Sequence, residues 1–397
     1  MAVVRDSPQL HGGAVEDVRF GPGEVRAEFV PGLEGLAAFA DDWERIFVTA
    51  PNEPSTSLEW TRALLRHRTR EYRPVGVIRV QRGGVTVGLV PLLARTSYVL
   101  RRPWVILRPA SELKSTHSDL LLAERSPEVA DALVDALAQI PTPWDGFRLS
   151  KLLPDNPLGG LLSAAASRRR WPVKARISRA AYHLALPSTY EAYFAQRSAK
   201  FRNHARRAEK KLLAAGLVRV IEVTHPAHFE RAFDAVLSVE RASWKHSHGT
   251  SLSVSESEAA LYRDWGCTAA SGRVHLQILM LDDVPVAYNL GTVDRGCYYY
   301  LKTSYAAEYR PLGPSTYLRL RLIESLIASG CTSVDFPGTP FEWERQWTET
   351  YRWQRVLSIH PRTIRGRILA SLDRWAHHSE AGDAPQHADP RDQRTIE

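Results

Sequence analysis

The chain is poor in sulfur and in lysine. Its three cysteines, Cys267, Cys297 and Cys331, stand far apart in 397 residues. They form neither a CxxC pair nor a zinc-ligand spacing, so a disulfide framework and a metal centre are both excluded from the reading. No GxxxxGK[ST] and no GxGxxG occurs, which removes P-loop nucleotidases and dinucleotide-binding Rossmann halves. No apolar run approaches the roughly 20 residues that span a bilayer, and the start MAVVRDSPQLHGG lacks the charged-then-apolar layout of a signal peptide. The expectation is a soluble, cytoplasmic protein without a transmembrane segment. Only eight of the 52 Lys and Arg are lysine, and the net charge of +8 is not gathered into a basic tail. A mildly basic protein that handles phosphorylated molecules fits this balance as well as a nucleic-acid binder does.

What the sequence does contain is enough apolar material for two cores: 44% hydrophobic residues and eleven tryptophans. Residues 1–24 and 376–397 carry scattered charge, Gly and Pro without periodicity and read as disordered tails. Between them strand-like and helix-like pieces alternate, which predicts α/β units spanning 25–180 and 181–375. In the first, helices near 33–48 and 57–68 precede a hairpin, 74–80 and 85–96, turned at Gly83-Gly84. Strands at 119–123 and 144–152, helices at 127–139 and 158–170, and a strand at 173–186 complete it. In the second, helices at 188–215 and 226–246 precede strands 275–281, 284–293 and 297–305, then a helix at 314–329 and a strand at 332–336.

One local stretch is especially well specified. In SYAAEYRPLGPSTYLRLRLIESLIASGCTSVDF, Pro314 suits a first helical position, Leu318, Leu322, Ile323, Leu326 and Ile327 recur at helical spacing, and Gly330 follows as a stop. Arg310, Gly313 and Ser315 form a turn that feeds this helix. Unpaired N–H groups and the positive dipole end make such a turn an anion site, or else it is an ordinary strand-to-helix connection.

The order of a meander, DDVPVAYNLG, an aromatic strand, the RxxGxS turn, a helix and VDFPG resembles a GNAT acyltransferase domain, in particular the CelD/BcsL-like group related to the Fem-type tandem-GNAT transferases. SLEW (57–60), VGLVPL (87–92), KFRNHARRAEKKLLAAG (200–216) and ERASW (240–244) extend the resemblance over about residues 30–375. It implies two GNAT-like (acyl-CoA N-acyltransferase) α/β domains, each a mixed, mostly antiparallel sheet flanked by helices, with the chemistry in the second. It implies an acyl-CoA, such as acetyl-CoA, as co-substrate and no metal. The phosphate turn would be Arg310, Gly313 and Ser315, with Thr303 and Ser304 on the strand that lies along the pantetheine. Acyl transfer from a carrier thioester to an amine or hydroxyl of a sugar, polysaccharide precursor or small metabolite follows.

The loop GTPFEWERQW (338–347) departs from the family, which places an aromatic-Lys pair where this chain has Glu342 or Glu344. Asp335, on a buried strand, and Glu344 are therefore the candidate general bases, each equally readable as a structurally tied or solvated carboxylate. Tyr305 is the candidate proton donor to a departing thiolate. Candidate acceptor contacts are Trp60, His117, Arg202, Arg206, Trp244, Tyr300 and Trp347. Arg202, Arg206 and Lys210 fall four apart, on one helical stripe. His246 and His248 lack further ligands. Two alternatives stay open: a Fem-type transferase that takes its group from aminoacyl-tRNA, and a non-catalytic binding module.

Overall fold

Two glycines at positive φ, Gly83 (56°) and Gly84 (84°), close the first hairpin, as their sequence predicts. They belong to a computed structural model that describes residues 23–50, 52–67, 70–336 and 342–372. In chain order its strands are β1 (Val25–Pro31), β2 (Tyr72–Arg82), β3 (Val85–Val99), β4 (Arg102–Pro109), β5 (Leu121–Leu122), β6 (Gly146–Leu152) and β7 (Val173–Ala185). They continue as β8 (Val218–Val223), β9 (Val274–Leu281), β10 (Val284–Asp294), β11 (Cys297–Tyr305), β12 (Ser333–Asp335) and β13 (Tyr351–Ile359). The helices are α1 (Ala40–Thr49), α2 (Leu58–His67), α3 (Pro127–Ala138), α4 (Leu158–Arg168), α5 (Tyr190–Ala195) and α6 (Ala199–Ala215). After them come α7 (Phe229–Ala242), α8 (Trp244–Ser247), α9 (Glu256–Thr268), α10 (Pro314–Ala328), α11 (Glu342–Arg345) and α12 (Ile364–Leu372). Both predicted tails lie outside the described residues, apart from Gly23 and Glu24.

The described residues divide into two compact units, one of Ala181–Tyr351 and one of those from 23 to Ala180 together with 352–372. The expectation kept 352–375 with the second half. Strand β13 instead pairs with β6, Leu357 opposite Leu149 and Ile359 opposite Phe147. Its apolar residues Leu357 and Ile359 enter the same core as Val80, Leu92 and Leu107 from the sheet and Leu133, Leu137 and Leu162 from α3 and α4. Burying each such side chain is worth about 1.5–3 kcal/mol, which an isolated C-terminal strand could not recover.

Each unit carries the same sheet plan. In the first, β1, β2, β3 and β4 form an antiparallel meander, β4 runs parallel to β6, and β13 lies antiparallel beyond it. In the Ala181–Tyr351 unit, β8, β9, β10 and β11 form the meander, β11 runs parallel to β12, and residues of β7 lie antiparallel beyond it. Both sheets are thus mixed and mostly antiparallel, with helices packed on them. Strands β1, β4, β8 and β13 and helix α9 were not anticipated. In β8 every second side chain is exposed, so no apolar run marks it.

Helix α10 forms as predicted: Leu318, Leu322, Ile323 and Leu326 are buried against the sheet, and Gly330 (φ 84°) ends it while Cys331 N donates to Leu326 O.

Candidate active site on strand β11

Strand β11 departs from regular pairing in two ways. Leu290 faces Lys302 while the adjacent Gly291 faces Tyr300, so Leu301 is an extra residue, a bulge, in β11. The bulge switches the faces of the strand. Tyr298 and Tyr300 join the core beneath α10, whereas Lys302 reaches Glu258 of α9 on the other side. Secondly, β12 pairs with β11 only over Cys297–Tyr299. From Tyr300 to Tyr305 the edge turned away from β10 has no partner strand among the described residues, leaving main-chain groups for an extended ligand.

At the end of that open edge the chain makes a short 3-10 turn, Ala307–Leu312, and enters α10 through Gly313 in the left-handed region (φ 68°, ψ 42°). Helix α6 backs this turn. A Cβ on Gly313 would lie 2.8 Å from that of Ala208, and Lys211 Nζ donates to Pro311 O (3.1 Å). Arg310 is exposed, its carbonyl accepting from Gly313 N (3.1 Å). Pro311 and Pro314 bring no N–H to the turn, and Tyr317 N is bonded to Gly313 O (3.2 Å), which leaves the N–H groups of Ser315 and Thr316 at the helix start. The turn therefore fits one anionic group with fewer donors than its length suggests.

Behind the turn, buried Arg319 joins several predicted residues. Its Nε donates to Tyr300 Oη (3.2 Å), an Nη reaches Ser315 Oγ (3.5 Å), and its guanidinium lies over the rings of Trp347 (4.9 Å) and Tyr300 (5.7 Å). Tyr300 and Trp347, taken as acceptor contacts, are 2% exposed and belong to this packing, so they support the turn and offer no ligand surface. Burial, partly opposed by Arg319, pushes the Tyr300 phenol up.

The candidate bases are tied down. Asp335 sits opposite His183 in the β12–β7 ladder, and its Oδ1 lies 2.7 Å from His183 Nδ1. Glu344 is wholly buried, and its main-chain carbonyl accepts from Trp347 N (2.9 Å) and Thr348 N (3.3 Å). Tyr305, the candidate acid, packs against the apolar cluster of Leu212, Leu279 and Leu318. Residues 337–341 of the departing loop lie outside the described residues.

Thr303 Oγ donates to Asn289 Oδ1 (2.9 Å) and Tyr288 O (3.1 Å), and Ser304 is buried. Arg202 donates to Ala195 O (3.0 Å) and to Arg197 O, which makes it a clamp between α5 and α6. Arg206, exposed, lies over Phe194 (5.7 Å). Trp60 and His117 belong to the other unit. Trp60 is buried in α2, and His117 is held by Gln354 Nε2 (2.9 Å) and an Nη of Arg352 (3.3 Å).

Sequence reasoning missed a group of buried charges on the far side of β11. Glu240 of α7 accepts from Tyr288 Oη (2.5 Å) and Leu252 N (3.0 Å). Lys302 Nζ pairs with Glu258 (2.7 Å) and lies over the Tyr262 ring (5.6 Å). Burial works against the Lys302 charge, but Tyr262 and Glu258 raise its pKa above the usual value. Lys245 of α8, next to half-exposed Trp244, donates to Thr303 O. One signal was available: in a chain with eight lysines, a lysine inside the aromatic strand CYYYLKTSY is out of place. No cluster of metal-ligating side chains and no helix long and apolar enough to cross a membrane occurs among the described residues.

No curated protein matches the chain in sequence. Among solved structures, FemX is 12% identical with a TM-score of 0.57, covering 84% of this chain and 98% of that one. The C-terminal DUF2156 domain of a provisionally assigned lysylphosphatidylglycerol synthetase from Agrobacterium fabrum is 11% identical with a TM-score of 0.52, covering 86% and 96%. A conserved protein of unknown function from Bacteroides thetaiotaomicron is 9% identical with a TM-score of 0.54, covering 84% and 99%. These likenesses establish a shared fold. In sequence, residues 199–345, a stretch running from α6 through the turn and α10 to α11, match the family described as the acetyltransferase (GNAT) domain.

Proposed function

We propose that the protein transfers an acyl group, in the simplest case acetyl, from an acyl-CoA to an amine or hydroxyl of a saccharide or other small acceptor, in the manner expected of the CelD/BcsL-like group. The observation that carries this reading is the open edge of β11 beyond Tyr299, ending at the Gly313 turn and the start of α10. Pantetheine amides would pair with the main chain of that edge, and the pyrophosphate would meet Arg310 and the N–H groups of Ser315 and Thr316. The bulge at Leu301 takes main-chain groups out of the ladder with β10, where they would stabilise the oxyanion that develops when the acceptor attacks. Holding both reactants along one strand lets attack occur directly, without a covalent enzyme intermediate.

Calorimetric titration with coenzyme A, together with thiol release from acetyl-CoA in the presence of aminosugars and simple amines, tests this. The expected result is saturable binding of coenzyme A and thiol release that depends on the acceptor. Absence of binding at millimolar coenzyme A overturns it.

The two prolines of the turn favour one second reading, a Fem-type transfer from aminoacyl-tRNA, because they remove donors that a pyrophosphate would use. Exposed Lys200, Arg206, Arg207, Lys210 and Lys211 along α6 would then meet RNA phosphates. Acyl transfer from charged tRNA, with a steep salt dependence and no response to coenzyme A, would select this reading.

A further inference from the structure

We propose that the side-chain amine of Lys245 is the base that takes the proton from the attacking acceptor. This rests on the acyl-transfer reading and adds to it the group that the sequence assigned to Asp335 or Glu344.

The position of the amine is the first argument. Lys245 Nζ donates to the main-chain carbonyl of Thr303, within the 300–305 stretch of β11 whose edge has no partner strand. Thr303 is two residues beyond the bulged Leu301, or about 7 Å along a strand. The side chain is 23% exposed and lies beside the strand along which the donor would lie.

The second argument is the set of groups around it. The nearest carboxylate, Glu240 on α7, is 3.8 Å away, and its two oxygens already accept from Tyr288 of β10 and from Leu252 N. Glu258 on α9 is committed to Lys302, beside Tyr262. Lys302 on β11 and Arg319 on α10 add positive charge. Burial is the main cause that lowers the Lys245 amine from 10.5 to about 8; Glu240 opposes that shift, and Lys302 reinforces it. At neutral pH about a tenth of such an amine is unprotonated, enough for a base whose strength matches the working pH. An arginine could not serve here, because its guanidinium does not give up its proton.

The step balances. The acceptor nitrogen or oxygen forms a bond to the thioester carbonyl carbon as its proton passes to Lys245 Nζ. The tetrahedral alkoxide then reforms the carbonyl, the C–S bond breaks, and the departing thiolate takes the proton back from the Lys245 ammonium. The products are an amide or ester and free thiol, with the amine regenerated. The other candidates are worse placed: Asp335 is bonded to His183, Glu344 has no exposed surface, and Tyr305 packs in the apolar cluster.

The test uses the full-length protein and two measurements. Trace acetylation with acetic anhydride across pH, quantified by mass spectrometry, gives the titration midpoint of Lys245 against exposed Lys174. Lys245 is expected to titrate at about 8; a midpoint near 10.5 overturns the proposal. Thiol release from acetyl-CoA is then followed for the unmodified protein, Lys245→Arg and Lys245→Met with ethanolamine, glucosamine and hydroxylamine, subtracting the uncatalysed rate. The arginine variant keeps charge and a donor for Thr303 O, so a merely structural lysine would tolerate it. Both variants should lose about 10²–10⁴-fold in kcat/KM with ethanolamine and glucosamine and lose the rising limb of the pH profile near 8. Hydroxylamine, whose nitrogen becomes more acidic than an alkylamine's once bonded to the carbonyl carbon and so gives its proton to water, should be spared most of that loss, and calorimetric affinity for coenzyme A should stay within about threefold. An active protein whose Lys245→Arg variant is equally fast overturns the base assignment alone. An unmodified protein that neither binds coenzyme A nor releases thiol with any acceptor overturns acyl transfer from coenzyme A and the base with it.

Discussion

Gly313→Ala is the smallest change that tests whether α6 backs the Gly313 turn. Gly313 lies at φ 68°, ψ 42°, a conformation that costs an alanine roughly 1–2 kcal/mol. The new methyl would also stand 2.8 Å from the Cβ of Ala208, well inside contact distance, and crowding of this kind in a packed site costs about 1–3 kcal/mol. The variant should therefore be less stable by about 2–5 kcal/mol in urea denaturation, with the midpoint moved and the slope retained. The two contributions separate in a double-mutant cycle. Ala208→Gly removes the atom that is struck, at about 1 kcal/mol of helix propensity, without touching the backbone strain. In its presence Gly313→Ala should cost only the strain, so a coupling of about 1–3 kcal/mol is expected. Additivity within about 0.5 kcal/mol would refute the close approach of α6, and with it the account of why glycine is needed. If the turn binds the donor's phosphates, the doubly substituted protein should recover fold and coenzyme A affinity together.

Asp335→Asn should lower stability by about 1.5–3 kcal/mol, because the bond from His183 loses its charged partner, while thiol release stays within about threefold; a hundredfold drop would restore Asp335 as a base. Arg319→Met should cost about 1.5–3 kcal/mol in urea denaturation by leaving Tyr300 Oη without its donor, and a change under about 0.5 kcal/mol would refute that role. The pH dependence of stability has a definite sign at Lys245. Its folded-state pKa is depressed from 10.5 to about 8, so its favourable contribution is complete above 10.5 and is lost as pH falls through 8. Relative to Lys245→Met, the unmodified protein should gain up to about 3 kcal/mol between pH 8 and 10.5, and parallel stability curves would contradict the shift.

Local rules determined much of this protein from its sequence. The Gly83-Gly84 hairpin, the helical spacing of Leu318, Leu322 and Leu326, and the Gly330 stop each depend on neighbours a few residues away, and all were legible. So was the Arg310–Ser315 turn within the segment that matches the GNAT domain. The roles of particular side chains were not. Asp335 on an apolar strand looked like a perturbed carboxylate, but the antiparallel ladder sets it against His183, and nothing local to either residue announces the other. Tyr300 and Trp347 looked available until Arg319 brought both into a core.

The bulge at Leu301 is the clearest case of tertiary control. A strict period of two would put Lys302 on the same face as Tyr300; the register between β10 and β11 inserts one residue and turns the lysine toward α9 instead. Lys245 stands one residue past a recognisable motif, yet its chemistry comes from Glu240, Glu258, Lys302 and Arg319, which lie on four different elements. Sequence determines which groups can ionise. Their pKa values depend on burial and on the charges brought near them, and those were set only when α7, α8, α9 and α10 packed around β11.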